Sequence, residues 1–275
     1  MNKLNFKYIY GPVQSWCMGK SLGIDPLSDT AKICNLDCIY CQLGRTNILT
    51  DERKEYVPAE KIIREIQVFF DTAGAMEESL TRDIDYLTFS GRGEPTLAKN
   101  LGAMIKGTRE IRGERIAVIT NSTWMYLPEV REDLFLSDLV VAKLDACNEE
   151  SFLEIDKAME GISFKRVVEG IKDFKKSYQG KLAIRVMFVE DNLRYVKRIV
   201  DLVEEINPQE IQLDTPLRPS ITKPLNEKII EEIKKYFSHR TVVSVYEGGQ
   251  KKTVPWDEQD TIKRHGNYKK MSLIY

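Results

Sequence analysis

The chain has 275 residues, enough for one large α/β domain or two small ones. Its 41 Lys and Arg residues nearly balance its 42 Asp and Glu residues, so no global positive charge recruits nucleic acid, although a local basic patch is not excluded. We find no apolar run of membrane-spanning length and no signal-peptide core, and five cysteines with three of them clustered argue against a disulfide framework. These features predict a cytoplasmic protein without a membrane partner.

The hydrophobic pattern alternates between strands and helices along most of the chain. Strands are predicted at 21–25, 84–90, 115–120, 139–144, 181–189 and 210–214, and helices at 58–70, 97–111, 128–136, 164–178, 193–206 and 225–237. Six such units with short connections predict an α/β fold with a parallel sheet and right-handed crossovers. Doubly wound and barrel layouts both satisfy this pattern.

Three of the five cysteines, Cys34, Cys38 and Cys41, lie within eight residues of one another. A thiolate is a soft ligand that suits zinc, copper(I) or iron–sulfur clusters, and thiols packed this tightly on one loop converge on one point. A structural zinc site needs four ligands, and a ferredoxin-type carrier needs four cysteines per cubane, but Cys17 and Cys147 do not stand at ferredoxin spacing. A cubane held by three thiolates leaves one iron open, as catalytic metal sites do.

The spacing Cys34-x3-Cys38-x2-Cys41, with Tyr40 before the last cysteine, resembles the cluster loop of the radical S-adenosylmethionine (SAM) enzymes. In that superfamily three cysteines hold a [4Fe–4S] cluster, and SAM chelates the fourth iron through its amino and carboxylate groups. The wider stretches 10–13, 21–25 and 38–44 are similar to a narrower group of uncharacterised iron–sulfur oxidoreductases related to the wybutosine-synthesis radical SAM enzymes. The resemblance runs from about residue 8 to about residue 220 and implies a partial (β/α)6 TIM-type barrel with a C-terminal extension.

In a parallel α/β barrel, functional groups collect at the carboxyl ends of the strands. The second predicted strand is followed by Gly91, Gly93 and Glu94, where glycines let backbone approach a ligand and a carboxylate could face a ligand ammonium. A plain turn before a helix explains the same residues about equally well. The fourth strand ends in Lys143 and Asp145, which share one face and match a carboxylate and ribose hydroxyls, with a structural ion pair as the alternative.

The resemblance assigns further roles at these strand ends. It implies that Asn121, after the third strand, contacts the carboxylate or ribose of SAM, although a turn or helix cap would also explain it. The implied cofactor-binding residues are Tyr40, Gly91, Gly93, Glu94, Asn121, Lys143 and Asp145, and the implied iron ligands are Cys34, Cys38 and Cys41. Later strand positions, Arg185, Gln212 and Asp214 among them, are expected to face substrate. Cys17 lies where the related proteins carry a basic pair, so analogy does not assign the substrate.

The C-terminal stretch differs from the rest of the chain. Residues 241–246 alternate like a further strand, while 250–275 are rich in lysine and lack periodicity. We expect a solvated tail, a lid over the open barrel or a partner-binding arm, with Trp256, Tyr268 and Tyr275 as anchors if the segment docks. The predicted division is a barrel domain over 1–240 and a C-terminal strand with a lysine-rich tail or lid over 241–275.

The resemblance implies a radical SAM enzyme that cleaves SAM reductively at a [4Fe–4S] cluster. The resulting 5′-deoxyadenosyl radical would abstract hydrogen from an unidentified substrate, with a flavodoxin or ferredoxin type of protein as external one-electron reductant. One alternative is an iron–sulfur protein for binding or electron transfer without radical chemistry. Another is a tRNA-modifying enzyme whose lysine-rich tail holds phosphate, which the balanced net charge disfavours.

Overall fold

The strands form a curled sheet that the chain crosses repeatedly. The computed structural model describes residues 4–27, 30–237, 241–248 and 253–267. The strands in chain order are β1 Ile9–Ser15, β2 Gly19–Ile24, β3 Ile33–Cys34, β4 Ile48–Leu49, β5 Tyr86–Phe89, β6 Arg115–Thr120, β7 Leu139–Lys143, β8 Lys181–Met187, β9 Glu210–Asp214 and β10 Val242–Ser244. Within the described ranges, eight of them form one sheet in the order β1-β2-β5-β6-β7-β8-β9-β10, antiparallel only between β1 and β2. The sheet curls into a half-barrel, which confirms the predicted partial barrel.

Helices cover the outer face of this sheet. They are α1 Ala59–Met76, α2 Glu78–Thr81, α3 Leu101–Ile111, α4 Pro128–Leu134, α5 Glu149–Ile155, α6 Phe164–Ser177, α7 Val196–Ile206, α8 Glu227–Lys234 and α9 Glu258–His265. Short 3-10 turns lie at Pro95–Leu97, Glu190–Tyr195 and Lys235–Phe237. In the part of the chain that the structure describes, no helix is long and apolar enough to cross a membrane.

Side chains alternate between the two faces of the sheet. Leu87, Val118 and Val140 belong to the large core that also contains the helix side chains. Near the strand starts, Tyr86 and Leu139 belong to a second, smaller apolar cluster on the other face. Because successive residues of a strand point to opposite sides, this second cluster fills the inner side of the half-barrel at its amino end. The inner positions at the carboxyl ends are left for polar groups.

The sequence did not predict the edge strand β1 of the large sheet, nor the two-residue strands β3 and β4. β1 contains Gly11 and Pro12, which normally argue against a strand. It lies at one edge of the sheet, where a missing backbone N–H breaks no ladder, and among the described strands it pairs with β2 alone. The six predicted strands correspond to β2 and β5 through β9, and β10 continues the sheet in parallel with β9. The division at residue 240 stays a prediction.

The expectation of a solvated tail is wrong for residues 253–267. Trp256 is only 6% exposed and packs edge-on against Phe6 and Phe69. α9 follows it, and Thr261 Oγ1 accepts a hydrogen bond from Gly11 N at 3.1 Å. Few apolar residues take part, so the segment has no hydrophobic stripe that a sequence could display. The anchors predicted at residues 268 and 275, and the lysines at 251, 252, 269 and 270, lie outside the described residues.

Candidate functional site

The three-cysteine loop lies beside the carboxyl edge of the sheet. Cys34 ends β3 and is buried, while Cys38 and Cys41 are half-buried on the following turn. Cys41 N donates to Cys38 O at 3.1 Å, which closes that turn. Ile39 N donates to Ile155 O at 3.0 Å, at the end of α5. The backbone of the loop is therefore fixed before any ligand binds.

Burial keeps two of these thiols protonated in the absence of a metal. Burial raises the pKa of the Cys34 thiol to about 12 and that of Cys38 well above its ordinary value, so both favour the protonated form without a cation. A coordinated metal removes the thiol proton outright. Among the described residues, no set of three His, Cys, Asp or Glu side chains is placed around a single ion, so the predicted convergence of the three thiols on one point is not observed. Each thiolate of a cubane binds a different iron, so three sulfurs spread around one loop fit that group.

Residues 91–94, the glycine motif, hydrogen-bond to the backbone at the start of the cysteine loop. Ile33 N donates to Arg92 O at 2.8 Å, and Glu94 N donates to Ile33 O at 3.1 Å. Gly93 has φ +150°, and a Cβ there would lie 1.6 Å from Ile33 O. Gly91 has φ +134°, and a Cβ there would lie 2.6 Å from the Asp25 side chain. Close packing thus requires glycine at both positions, against backbone at Gly93 and against a side chain at Gly91, and direct contact of either glycine with SAM stays a prediction.

Glu94 is buried at the ends of two neighbouring strands. It is 2% exposed, and burial raises the pKa of its carboxyl even though several donors surround it. Its Oε1 accepts from Thr96 N at 3.0 Å, Thr96 Oγ1 at 2.7 Å and Thr120 Oγ1 at 2.6 Å. Its Oε2 accepts from Asn121 N at 2.6 Å. Since Oε2 has a single partner among the described residues, it retains the capacity to accept from a ligand ammonium.

Asn121 links the end of β6 to the cysteine loop. Its Nδ2 donates to Asn35 Oδ1 at 2.7 Å and lies 3.7 Å from Cys34 Sγ. Asn35 in turn donates from Nδ2 to Thr123 Oγ1 at 2.7 Å. This chain of amides ties the first cysteine to the strand ends. The predicted contact of Asn121 with SAM stays a prediction beside this observed role.

Lys143, Asp145 and Tyr40 form one polar cluster on the inner side. Lys143 Nζ lies 3.2 Å from Asp145 Oδ2 and 4.9 Å from the centre of the Tyr40 ring. The Tyr40 hydroxyl bonds Asp145 and also lies 2.9 Å from Asp156 Oδ1. Burial and the Asp145 charge raise the pKa of Asp156 to about 7. The ion pair considered as an alternative is therefore present, while Lys143 keeps 18% of its side chain exposed and can reach a ligand.

Lys32 is a site residue that sequence reasoning missed. It is 5% exposed, and its Nζ donates to Cys41 Sγ at 3.0 Å and to Gly44 O at 2.8 Å. The ammonium thus places a positive charge directly beside a predicted iron ligand. The cysteine motif gave no signal for it, because Lys32 precedes the motif and meets Cys41 only through the folding of the loop.

Comparison with known proteins identifies the family. A sequence model described as the radical SAM superfamily matches residues 29–203. The chain belongs to the radical SAM superfamily. The UPF0026 protein slr1464 of Synechocystis sp. is 35% identical to this radical SAM protein over 225 residues, which cover 82% of this chain and 80% of the relative.

Solved structures share the radical SAM fold. A structure of TYW1 with a lysine-pyruvate adduct bound aligns with TM-score 0.60 at 18% identity, over 80% of this chain and 74% of that one. Streptococcus suis SuiB bound to S-adenosylmethionine aligns with TM-score 0.58 at 14% identity, over 78% of this chain and 48% of SuiB. Members of the superfamily bind SAM and an iron–sulfur cluster, and the resemblance seen in the sequence is confirmed.

Proposed function

We propose that this radical SAM protein is an enzyme that cleaves SAM reductively at a [4Fe–4S] cluster held by Cys34, Cys38 and Cys41. The products would be methionine and a 5′-deoxyadenosyl radical that abstracts hydrogen from a substrate still to be identified. One observation carries the proposal: the three-cysteine loop is built onto the carboxyl edge of a half-barrel by Gly93 and Asn121. When bound, the cluster would supply the electron that breaks the S–C5′ bond of SAM.

The strand-end residues supply complementary charges for the amino acid part of SAM. Glu94 Oε2 retains an acceptor position for the ammonium group, next to Asn121. Lys143 offers a partly exposed ammonium for the carboxylate. Asp145 and Tyr40 hold Lys143 in place, the first by the ion pair and the second through its ring. Charge-assisted hydrogen bonds of this kind favour one orientation of the ligand.

The C-terminal segment supports a closing role over the half-barrel. Arg218, in the loop after β9, donates from Nε to Gln42 Oε1, directly after the last cysteine of the loop. The same guanidinium lies 2.7 Å from His265 Nδ1 at the end of α9 and also donates to the carbonyl of that residue. Arg218 thereby links the cysteine loop, the loop after β9 and the C-terminal helix α9. A closed site protects a reactive radical from water and reductant.

Formation of 5′-deoxyadenosine tests the proposal. The anaerobically reconstituted protein, reduced with dithionite and given SAM, should release 5′-deoxyadenosine and methionine, measured by liquid chromatography and mass spectrometry. Cys38→Ala should abolish the product, and Cys147→Ala should retain it, since Cys147 lies outside the cysteine loop. Iron-loaded protein that releases no 5′-deoxyadenosine would favour the alternative of a binding or electron-transfer protein. The tRNA-modifying alternative depends on lysines mostly outside the described residues and stays a prediction.

A further inference from the structure

Among the described residues, two arginines inside the half-barrel have only neutral hydrogen-bond partners. Arg185 on β8 donates from Nε to Gln212 Oε1 at 2.9 Å, and its NH2 lies 2.9 Å from Cys17 Sγ. Burial raises the pKa of Cys17, against a smaller lowering by Arg185, so the sulfur is a neutral thiol near pH 7. In the described ranges, none of the ion pairs joins Arg185 to a carboxylate.

The second arginine, Arg218, also has neutral hydrogen-bond partners. Arg218 contacts the amide of Gln42 and the imidazole and carbonyl of His265. Burial, followed by the charges of Arg218 and Arg185, lowers the pKa of His265 well below its usual range, so the ring is neutral. Arg218 likewise has no carboxylate among its ion-pair partners in the part of the chain that the structure describes. Both arginine residues are half-buried.

The two arginines have no direct counter-charge on the inner side. Lys143, Arg185 and Arg218 all act on the buried Asp214 and favour its ionised form, although burial is the larger cause and raises its pKa overall. Asp145 is paired with Lys143, and the Lys143 charge also acts on Asp156 in the same cluster. In the described ranges, no ion pair joins Arg185 or Arg218 to any of these three carboxylates. A partly buried charge without a direct counter-charge is costly, so this arrangement favours a ligand that brings negative charge.

The two arginines lie next to the proposed SAM site without coinciding with it. Arg185 stands opposite Lys143 on one neighbouring strand and opposite Gln212 on the other. It therefore shares the inner face with Lys143, at the carboxyl half of the sheet. Arg218 approaches from the side of the cluster loop through Gln42. A molecule between the two guanidinium groups would lie beside the residues proposed to hold SAM.

We propose that Arg185 and Arg218 bind an oxyanion group of the substrate, a carboxylate or a phosphate, inside the half-barrel. The inference rests on the proposed function and names the substrate class as small anionic molecules. A guanidinium presents parallel N–H donors that match either oxyanion. The Trp16 ring, 5.3 Å from the Arg185 guanidinium, supplies an apolar wall on which that group stacks.

Binding of simple oxyanions tests this proposal. Cluster-loaded protein is titrated by calorimetry with inorganic phosphate and, separately, with succinate, against sodium chloride at matched ionic strength. At least one oxyanion should bind saturably, and the one that binds more tightly identifies the group. Arg185→Gln and Arg218→Gln should each weaken binding about tenfold or more, because each removes charge-assisted hydrogen bonds. Arg194→Gln is the matched control, since Arg194 is exposed and paired with Glu154.

Three outcomes would overturn the proposal: no oxyanion binding beyond chloride, binding by both arginine variants as tight as that of the wild type, or loss of binding when SAM saturates the protein. The last result would mean that the arginines hold the carboxylate of SAM itself. Arg185→Lys keeps the charge but loses the parallel N–H donors of the guanidinium, so it should also weaken oxyanion binding. It replaces Arg185→Gln as the test variant if Arg185→Gln does not fold. Failure here while wild-type protein still forms 5′-deoxyadenosine refutes this inference alone. Oxyanion binding without 5′-deoxyadenosine refutes the proposed function alone.

Discussion

Replacing Gly93 by alanine tests whether close packing of the glycine motif against Ile33 stabilises the cysteine loop. The added Cβ would lie 1.6 Å from Ile33 O, a backbone atom that cannot move without disturbing its neighbours. The hydrogen bonds at risk are Glu94 N to Ile33 O at 3.1 Å and Ile33 N to Arg92 O at 2.8 Å. Together they contribute about 1–3 kcal/mol, and a strained backbone conformation adds about 1–3 kcal/mol. The folded state should therefore lose about 2–6 kcal/mol.

Urea unfolding of the metal-free protein measures this loss. Gly161→Ala is the matched control, because Gly161 also has positive φ (+91°) but nothing within 4 Å of an added Cβ. The control should lose only the backbone cost, about 1–2 kcal/mol. Gly93→Ala should lose more than the control and also take up less iron, because Ile33 directly precedes Cys34. Equal losses of stability in the two variants would refute the packing argument.

Three further predictions follow from single side chains. Lys32→Met removes the cation 3.0 Å from Cys41 Sγ. The reduction potential of the reconstituted cluster, measured in a redox titration, should fall by on the order of 100 mV. Lys61 is exposed, and Lys61→Met should leave the potential unchanged. Burial raises the pKa of Asp133 to about 6, so its contribution to stability is complete below its ordinary pKa of 3.8 and is lost as pH rises through about 6. In a urea series at several pH values, Asp133→Asn should remove up to about 2 kcal/mol of that pH dependence, and an unchanged profile would contradict the shift. Trp256→Ala should cost about 3–5 kcal/mol of unfolding free energy and exposed Val254→Ala about 0.5 kcal/mol or less, whereas equal small losses would contradict docking of the C-terminal segment.

Local patterns predicted most of the fold. The strands Arg115–Thr120 and Glu210–Asp214 were predicted with their observed bounds, because the first contains an apolar run and the second alternates polar and apolar residues. β1 was missed because Gly11 and Pro12 usually end a strand, and only its place at the sheet edge makes them acceptable. α9 was missed because its stability comes from contacts such as Thr261 with Gly11 rather than from a hydrophobic stripe.

The candidate site was predictable where its residues are close in sequence. The three cysteines share one loop, so their spacing alone indicated a metal-binding group. Contacts between distant segments could not be predicted in the same way. Lys32 reaches Cys41 only through the loop fold, and Arg218 reaches Gln42 and His265 only through the closed half-barrel. The same limit applies to the hydrogen bonds that the Glu94 carboxylate, predicted to bind SAM, accepts from Thr120 and Asn121.

Electron paramagnetic resonance of the reduced protein, recorded with and without SAM, tests whether the three cysteines hold a cluster with one open iron. The reconstituted protein should contain about four irons per chain, with one iron that no cysteine holds. SAM should therefore change the spectrum of the wild-type protein, and the variant with Cys34, Cys38 and Cys41 all replaced by alanine should show no cluster signal. A spectrum that SAM leaves unchanged, or a full cluster signal in the triple variant, would contradict a cluster held by these three cysteines with one iron open to SAM.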